Sequence, residues 1–249
     1  MLEPTKCAAV IPAFNESLGI ATLVRAVRRQ LSQVLVVDDG STDNTMALAK
    51  AAGAVVIRHE KNSGKGAALR TGLSRVFENG FEWAVTLDGD GQHLPEDLPA
   101  LFGCAEETGA RLVIGNRMNE AHKIPWLRRK VNRWMSRKLS QRAGRQLPDT
   151  QCGFRLVHLP SWTRLPLKTD HFEIESEMLM AFLAAELPVE FVPVRVVNRN
   201  RGSHIRPVMD SLRWWKWWRG LERSRTLRAE IGNCGWKTQV TGHCPTSSE

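Results

Sequence analysis

No apolar run in the 249 residues approaches the roughly 18 needed to cross a bilayer, so no segment reads as a transmembrane span. Cysteine is scarce and odd in number. Cys7, Cys104, Cys152, Cys234 and Cys244 are scattered, which argues against a disulfide framework and makes reduced thiols in a cytosolic protein the expectation. Cys234, His243 and Cys244 lack a paired Cys-x-x-Cys and make a poor zinc site. Residues 1–6 show no basic-then-apolar pattern, so no secretory signal is expected. Repeats and low-complexity tracts are absent. With 42% hydrophobic and 24% charged residues, the chain is not disordered, collagen-like or a coiled coil. Tyrosine is missing altogether, against nine tryptophans.

Acids are missing where bases crowd. From Arg111 to Leu147 eleven Lys and Arg face one acid, Glu120. From Arg195 to Glu230 ten face three. The net charge of +9 therefore resides in two segments on an otherwise acidic chain, and it predicts attraction to polyanions. Those segments also hold Trp126, Trp134, Trp214, Trp215, Trp217 and Trp218. Within Ile124–Arg145, Leu127, Val131, Trp134, Met135 and Leu139 recur at three- and four-residue steps, as on one helical stripe among basic residues. Asp210–Leu221 repeats the composition. Such helices suit the headgroup layer of an anionic membrane, where Trp favours the boundary. The plainer alternative is that the tryptophans pack on the protein's own core. No helix-turn-helix, zinc-finger or RNP-type pattern accompanies the charge, so no nucleic acid is expected as a partner.

The first half alternates short apolar runs with helical stretches. Strands are expected at Cys7–Ala13, Gln33–Asp38, Ala54–Arg58, Trp83–Asp88 and Leu112–Gly115. Helices are expected at Ser17–Leu31, Asp43–Ala52, Gly64–Phe77 and Pro95–Glu107. Unbroken apolar strands between helices indicate an α/β protein with a mostly parallel, Rossmann-like sheet covered on both faces. The second half is less regular: a turn-rich segment Leu147–Gly153, a helix around Glu175–Ala185, a strand around Val189–Val197 and a loop at Asn198–Pro207. Residues 232–249 lose periodicity and read as a loose tail.

Ligands of such sheets bind at the carboxyl ends of the strands, and the polar residues gather there. Asp88 and Asp90, two apart on a glycine turn, can converge on one divalent cation; hard oxygen donors select Mg²⁺ or Mn²⁺. Asp38-Asp39-Gly40-Ser41-Thr42-Asp43-Asn44-Thr45 reads equally as a strand end and a turn in which an Asp caps the following helix. Gly64-Lys65-Gly66 reads as a helix start or as a phosphate contact. Asp149 serves either as a polar group near a reacting centre, base or orienter, or as a turn residue. Glu173, Glu175 and Glu177 read mostly as solvated acids at a helix start.

Taken in order, Val10-Ile11-Pro12-Ala13-Phe14-Asn15-Glu16, Val36-Val37-Asp38-Asp39-Gly40-Ser41-Thr42-Asp43, Asn62-Ser63-Gly64-Lys65-Gly66, Asp88-Gly89-Asp90-Gly91-Gln92 and Gly115-Asn116-Arg117 resemble the family 2 glycosyltransferases of the GT-A fold. Asp149-Thr150-Gln151-Cys152-Gly153-Phe154-Arg155 narrows the resemblance to enzymes acting on dolichyl or polyprenyl phosphate. The resemblance spans about Cys7 to Asp210 and implies one domain over 1–231, with a nucleotide-sugar half to about 118 and an acceptor and membrane-interface half beyond. It implies that Pro12, Ala13, Asn15, Glu16 and Asp39 line the nucleotide pocket and that Lys65 lies near the donor. It further implies that Asp88, Asp90 and Gln92 hold the metal. Arg117 would face phosphate, and Arg128 or Arg129 would meet the acceptor phosphate. Arg201 and Ser203 would belong to a loop closing on the donor. Unlike many relatives, the sequence shows no C-terminal transmembrane helices, which leaves membrane attachment to the amphipathic segments, with a membrane-embedded partner a further option.

The expected activity is metal-dependent, inverting transfer of a hexose from a nucleotide sugar of the GDP-mannose or UDP-glucose type to polyprenyl phosphate. The expected location is peripheral, on the cytoplasmic face of the membrane. Two alternatives stay open: transfer to a hydroxyl of a saccharide or lipid-linked sugar, and a non-catalytic basic protein that binds membrane or nucleic acid on the same fold.

Overall fold

The computed structural model describes residues 3–197 and 207–223. In chain order the elements are β1 (Cys7–Ala13), α1 (Ile20–Arg28), β2 (Gln33–Asp38), α2 (Thr45–Ala51), β3 (Val55–Arg58), α3 (Lys65–Glu78), β4 (Trp83–Thr86) and α4 (Leu98–Thr108). There follow β5 (Leu112–Asn116), α5 (Trp126–Ala143), β6 (Arg155–His158), α6 (Leu159–Trp162), α7 (Ile174–Ala184), β7 (Val189–Pro193) and α8 (Pro207–Arg223). The expected loop at Asn198–Pro207 falls almost wholly, and the expected tail at 232–249 wholly, outside the described residues.

The strands form one sheet in the order β3-β2-β1-β4-β6-β5-β7. Every residue of β1 is buried, which is why its sequence runs apolar without alternation. From β1 the chain steps outward through β2 and β3, then returns to place β4 on the other flank of β1. The connection thus reverses between β1 and β4, and in open α/β sheets the crevice at such a reversal receives the ligand. Only β6 runs antiparallel, to both β4 and β5. The sequence gives no warning of it, because four residues (Arg-Leu-Val-His) at the end of a turn-rich stretch carry too little periodicity. β4 stops at Thr86, so Leu87 to Gln92 leave the sheet as a loop.

The two basic helices divide their aromatic residues between core and solvent. α5 buries Asn132, Met135, Ser136 and Leu139, a stripe rotated from the one expected from apolar spacing. Ser136 is satisfied there, since its Oγ accepts from Thr150 N (3.1 Å) and lies 3.0 Å from Thr150 Oγ1. Leu127 and Trp134 are consequently exposed. On α8, Trp214 and Trp218 are buried and stack with centroids 5.6 Å apart. Trp134 meets Trp214 edge-on at 5.2 Å, joining α5 to α8. Core packing thus accounts for Trp214 and Trp218, while Trp126, Trp134 and Trp215 stay exposed.

α3 lies tight on the sheet at Gly72, where a methyl group would collide with Val10 Cγ1 and come within 3.1 Å of Val37 Cγ2. Gly72→Ala is expected to overpack this contact by about 1–3 kcal/mol. That exceeds the gain in helix propensity of about 0.5–1 kcal/mol. The urea midpoint should fall with the slope unchanged; an unchanged or raised midpoint would contradict the packing.

Candidate active site

Pro12 and Ala13 end β1 and are buried. The chain then turns through Asn15, whose φ of 55° lies in the left-handed region that Asn tolerates better than most residues. The loop after β2 holds this turn. Asn15 N donates to Ser41 Oγ (2.9 Å), Thr42 N to Asn15 Oδ1 (2.9 Å) and Glu16 N to Thr45 Oγ1 (2.8 Å). Asp43 accepts from Thr45 N at the start of α2 and from Ser17 N.

Asp39 points at the loop that opens α3. Its carboxylate accepts from Ser63 N (2.9 Å) and Gly64 N (2.8 Å) and lies 2.7 Å from His59 Nδ1. Gly40, with φ of 75°, lets that loop approach: a Cβ there would lie 2.7 Å from the Lys61 carbonyl carbon. Asp39 therefore clamps the segment that presents Lys65, and both its oxygens are engaged.

Asp88 sits at the centre. Lys65 Nζ is 2.5 Å from its Oδ1, and the same ammonium pairs with Glu175 at the start of α7. His93 Nε2 lies 3.7 Å from Oδ2. Gly153 closes the far side, since a Cβ there would come within 2.7 Å of the Asp88 Cγ. On the near side the Gly89 turn abuts the β1 exit: a Cβ at Gly89 would be 3.0 Å from Pro12 O and 3.3 Å from Glu16 Cγ. Burial alone would raise the Asp88 carboxyl, but Lys65 first and His93 next hold it well below the usual carboxylate range. Burial likewise opposes the charge on Lys65, and Asp88 and Glu175 together hold its ammonium above its ordinary value.

Asp90 is half-buried and accepts from Gln92 N at 3.0 Å. Among the described residues no group of three or more His, Cys, Asp or Glu could hold a metal ion. That is compatible with Mg²⁺ or Mn²⁺, since Mg²⁺ commonly binds through one or two carboxylates plus substrate phosphates. The donor chemistry fits such an ion: Asp88 and Asp90 are carboxylates two residues apart on one glycine turn, and Asp88 Oδ1 is buried with the Lys65 ammonium against it.

Arg117 does not open onto a phosphate site as the resemblance implies. It is 3% exposed, and its Nε and Nη2 donate to Asp149 Oδ2 (2.7 Å) and Oδ1 (2.9 Å). Asp149 in turn accepts from Arg117 N and Gln151 N. Burial would raise the Asp149 carboxyl, but Arg117 overrides it and the net shift is downward. Of the two roles open to Asp149, a proton-accepting base does not fit this pairing; an orienter of Arg117 does.

Arg128 and Arg129 part company. Arg129 Nη1 donates to Ala121 O, a local tie. Arg128 has no hydrogen bond or ion pair among the described residues, and its guanidinium feels Arg117, Asp88, Asp90 and Glu175. Burial first and the Arg117 charge second depress its protonation, and the three carboxylates oppose this. Arg201 and Ser203 lie outside the described residues.

The acids at the start of α7 are not the solvated group their spacing suggests. Glu175 is buried against Lys65, Glu173 is buried, and Glu177 accepts from Lys168 N, Thr169 N and Thr169 Oγ1. The available signal was Ile-Glu-Ser-Glu-Met-Leu-Met-Ala-Phe-Leu-Ala itself: an acid inside an otherwise apolar helix is costly unless paired. The sequence alone points to no role for His93 or Arg155. Arg155 is buried and donates to the carbonyls of Cys152 (2.8 Å), Glu175 (2.7 Å) and Thr150 (3.0 Å).

Known proteins are similar to this chain in sequence and in fold. The family described as Glycosyl transferase family 2 matches residues 8–161. The polyprenol monophosphomannose synthase of Mycolicibacterium smegmatis is 29% identical over 245 residues, 90% of this chain and 92% of that protein. A UDP-N-acetylglucosamine–dolichyl-phosphate N-acetylglucosaminyltransferase of Methanococcus voltae is 28% identical over 223 residues, 79% of this chain and 89% of that protein. Among solved structures, glucosyl-3-phosphoglycerate synthase of Mycobacterium tuberculosis, in complex with Mn²⁺, UDP and phosphoglyceric acid, is similar with a TM-score of 0.64 at 20% identity. That likeness, over 94% of this chain and 80% of the other, is one of fold.

Removing one partner of the Arg117–Asp149 pair leaves an uncompensated buried charge. Asp149→Ala is therefore expected to cost about 3–5 kcal/mol in urea unfolding at neutral pH. Because the folded-state carboxyl is depressed, the wild-type contribution is complete above about pH 3.9 and is lost as pH falls from there through the folded value. The variant should lack that part of the acid dependence; an identical acid profile would show that the pair contributes nothing.

Proposed function

This chain belongs to glycosyl transferase family 2 and is a glycosyltransferase of the GT-A fold; on that premise we propose that it moves a hexose from a nucleoside-diphosphate sugar to a polyprenyl phosphate at a membrane surface, with inversion at the anomeric carbon. One observation carries the reading. The carboxylates that leave β4, the ammonium at the start of α3 and Arg128 of the basic helix α5 lie within electrostatic reach of one another beside the sheet reversal. The relatives named for dolichyl and polyprenol phosphates support the acceptor class.

In this reading Pro12, Ala13, Asn15 and Glu16 form the wall against which the nucleotide lies, and Asp39 acts through the Lys65 loop. Asp88 and Asp90, with Gln92 beside them, would hold Mg²⁺ or Mn²⁺, which supplies positive charge to the departing diphosphate when bound. Lys65 adds a cation on the same leaving group. Arg128 draws in the acceptor phosphate, and Arg117, fixed by Asp149, sets a positive potential behind it. A phosphate monoester has a second pKa of about 6 and is largely ionised at neutral pH, so the nucleophile needs no strong base. A hydroxyl acceptor would need one, and the candidate nominated by the sequence, Asp149, is held by Arg117. The geometry thus favours phosphate over hydroxyl as nucleophile.

Among the described residues no helix is long and apolar enough to cross a membrane. We assign attachment to the exposed stripes of Trp126, Leu127 and Trp134 on α5 and Met209, Leu212 and Trp215 on α8. Lys130 lies 4.9 Å over Trp126 and Arg219 4.7 Å over Trp215, so each ring is flanked by a cation suited to an anionic headgroup.

Incubating the full chain with Mn²⁺, labelled GDP-mannose or UDP-glucose and polyprenyl phosphate should yield a lipid-soluble, acid-labile sugar phosphodiester. An acid-stable glycoside as the product would overturn the acceptor assignment. Asp90→Ala should abolish turnover with an unchanged circular dichroism spectrum, and full activity in that variant would refute its role. Trp126→Ser combined with Trp215→Ser should reduce co-sedimentation with anionic vesicles by about tenfold. Undiminished sedimentation would place the attachment elsewhere.

A further inference from the structure

Lys65 is not merely near the proposed metal site; it stands in it. Its ammonium is 2.5 Å from Asp88 Oδ1, a buried carboxylate oxygen. A divalent ion would need that oxygen at about 2.1 Å. The two cations cannot share it: at such a separation their repulsion in a partly buried setting is large. Gly153 lies close on the Asp88 carboxylate, and His93 Nε2 is 3.7 Å from its Oδ2. The ammonium has a second anchor in Glu175 on α7, which is buried, and it passes 5.6 Å over the Phe172 ring.

We propose that Lys65 is the resident cation of the Asp88 site, excluding divalent metal from the free protein until a nucleoside diphosphate draws the ammonium off Asp88. The inference rests on the reading of Asp88 as a metal-holding carboxylate and deepens it into an order of binding. In the free protein Asp88, Lys65 and Glu175 form a chain of alternating charge with the cation in the middle. An incoming diphosphate offers Lys65 a stronger anionic partner on the crevice side, and Glu175 keeps the side chain from leaving the crevice as it turns. Asp88 Oδ1 is then released at the moment the phosphates needed to complete a metal's coordination have arrived.

The experiment is a titration of the full chain with Mn²⁺, reading free ion by electron paramagnetic resonance, with and without UDP or GDP. Wild type should bind Mn²⁺ weakly alone and at least about tenfold more tightly with a nucleotide. Lys65→Met should raise the nucleotide-free affinity by about tenfold, since the competing charge is gone. Adding Asp88→Asn to Lys65→Met should remove that gain. An unchanged or weaker nucleotide-free affinity in Lys65→Met overturns the inference, as does a gain that survives Asp88→Asn. Should Lys65→Met fail to fold, lysine-selective nuclear magnetic resonance of the wild type decides. One protected ammonium signal should shift when Mg²⁺ and nucleotide are added together; no such shift overturns the inference. Nucleotide-dependent Mn²⁺ binding in wild type without a gain in Lys65→Met defeats this inference alone. No Mn²⁺ binding under any condition defeats the metal reading of the site as well.

Discussion

A single buried guanidinium joins the turn before β6 to the start of α7. Arg155, on the one antiparallel strand, donates to three carbonyls at once: Cys152 and Thr150 in the turn before it and Glu175 at the start of α7. Burying that charge is unfavourable, and the three bonds are what make it tolerable. What the second half contributes to the crevice hangs from these contacts. The turn places Gly153 on Asp88 and Asp149 under Arg117, and the fixed end of α7 delivers Glu175 to Lys65. β6 is short, yet its position between β4 and β5 is what brings the turn to the crevice edge.

Much of the frame was legible in the sequence because it is built from unbroken apolar strands and recognisable turns. The first five strands and the helices between them follow that pattern, and the polar residues at the ends of β1, β2 and β4 lie at one edge as parallel strands require. What periodicity could not convey were features decided by contacts between distant segments. Asn132 and Ser136 face inward on α5 because the Thr150 turn answers Ser136, and so the apolar stripe read from spacing was rotated. Glu175 looked like an ordinary acid at a helix start; only its distant partner, Lys65, reveals its burial. Arg117 and Asp149 were each noticed alone, and neither position betrays that they satisfy one another.

Charge in this molecule is organised by depth. The crevice holds cations and carboxylates in near balance, whereas α5 and α8 carry exposed Lys and Arg beside exposed aromatic rings. The first arrangement confers geometry and the second attraction, and the net charge of +9 by itself distinguishes neither. Arg128 belongs to both regions: its helix is the surface one, while its electrostatic neighbours are those of the crevice.

Ser176 joins these regions mechanically. Its hydroxyl, fully enclosed, is met at 2.8 Å by the amide of Gln151 from the crevice turn and at 2.9 Å by the indole nitrogen of Trp214 from α8. One oxygen atom thus serves as the common pivot of the surface helix and the turn that carries Asp149. A tilt of α8 pulls on the same pivot that steadies the turn, so the seating of the outer helix and the alignment of the inner arginine are strung on one thread.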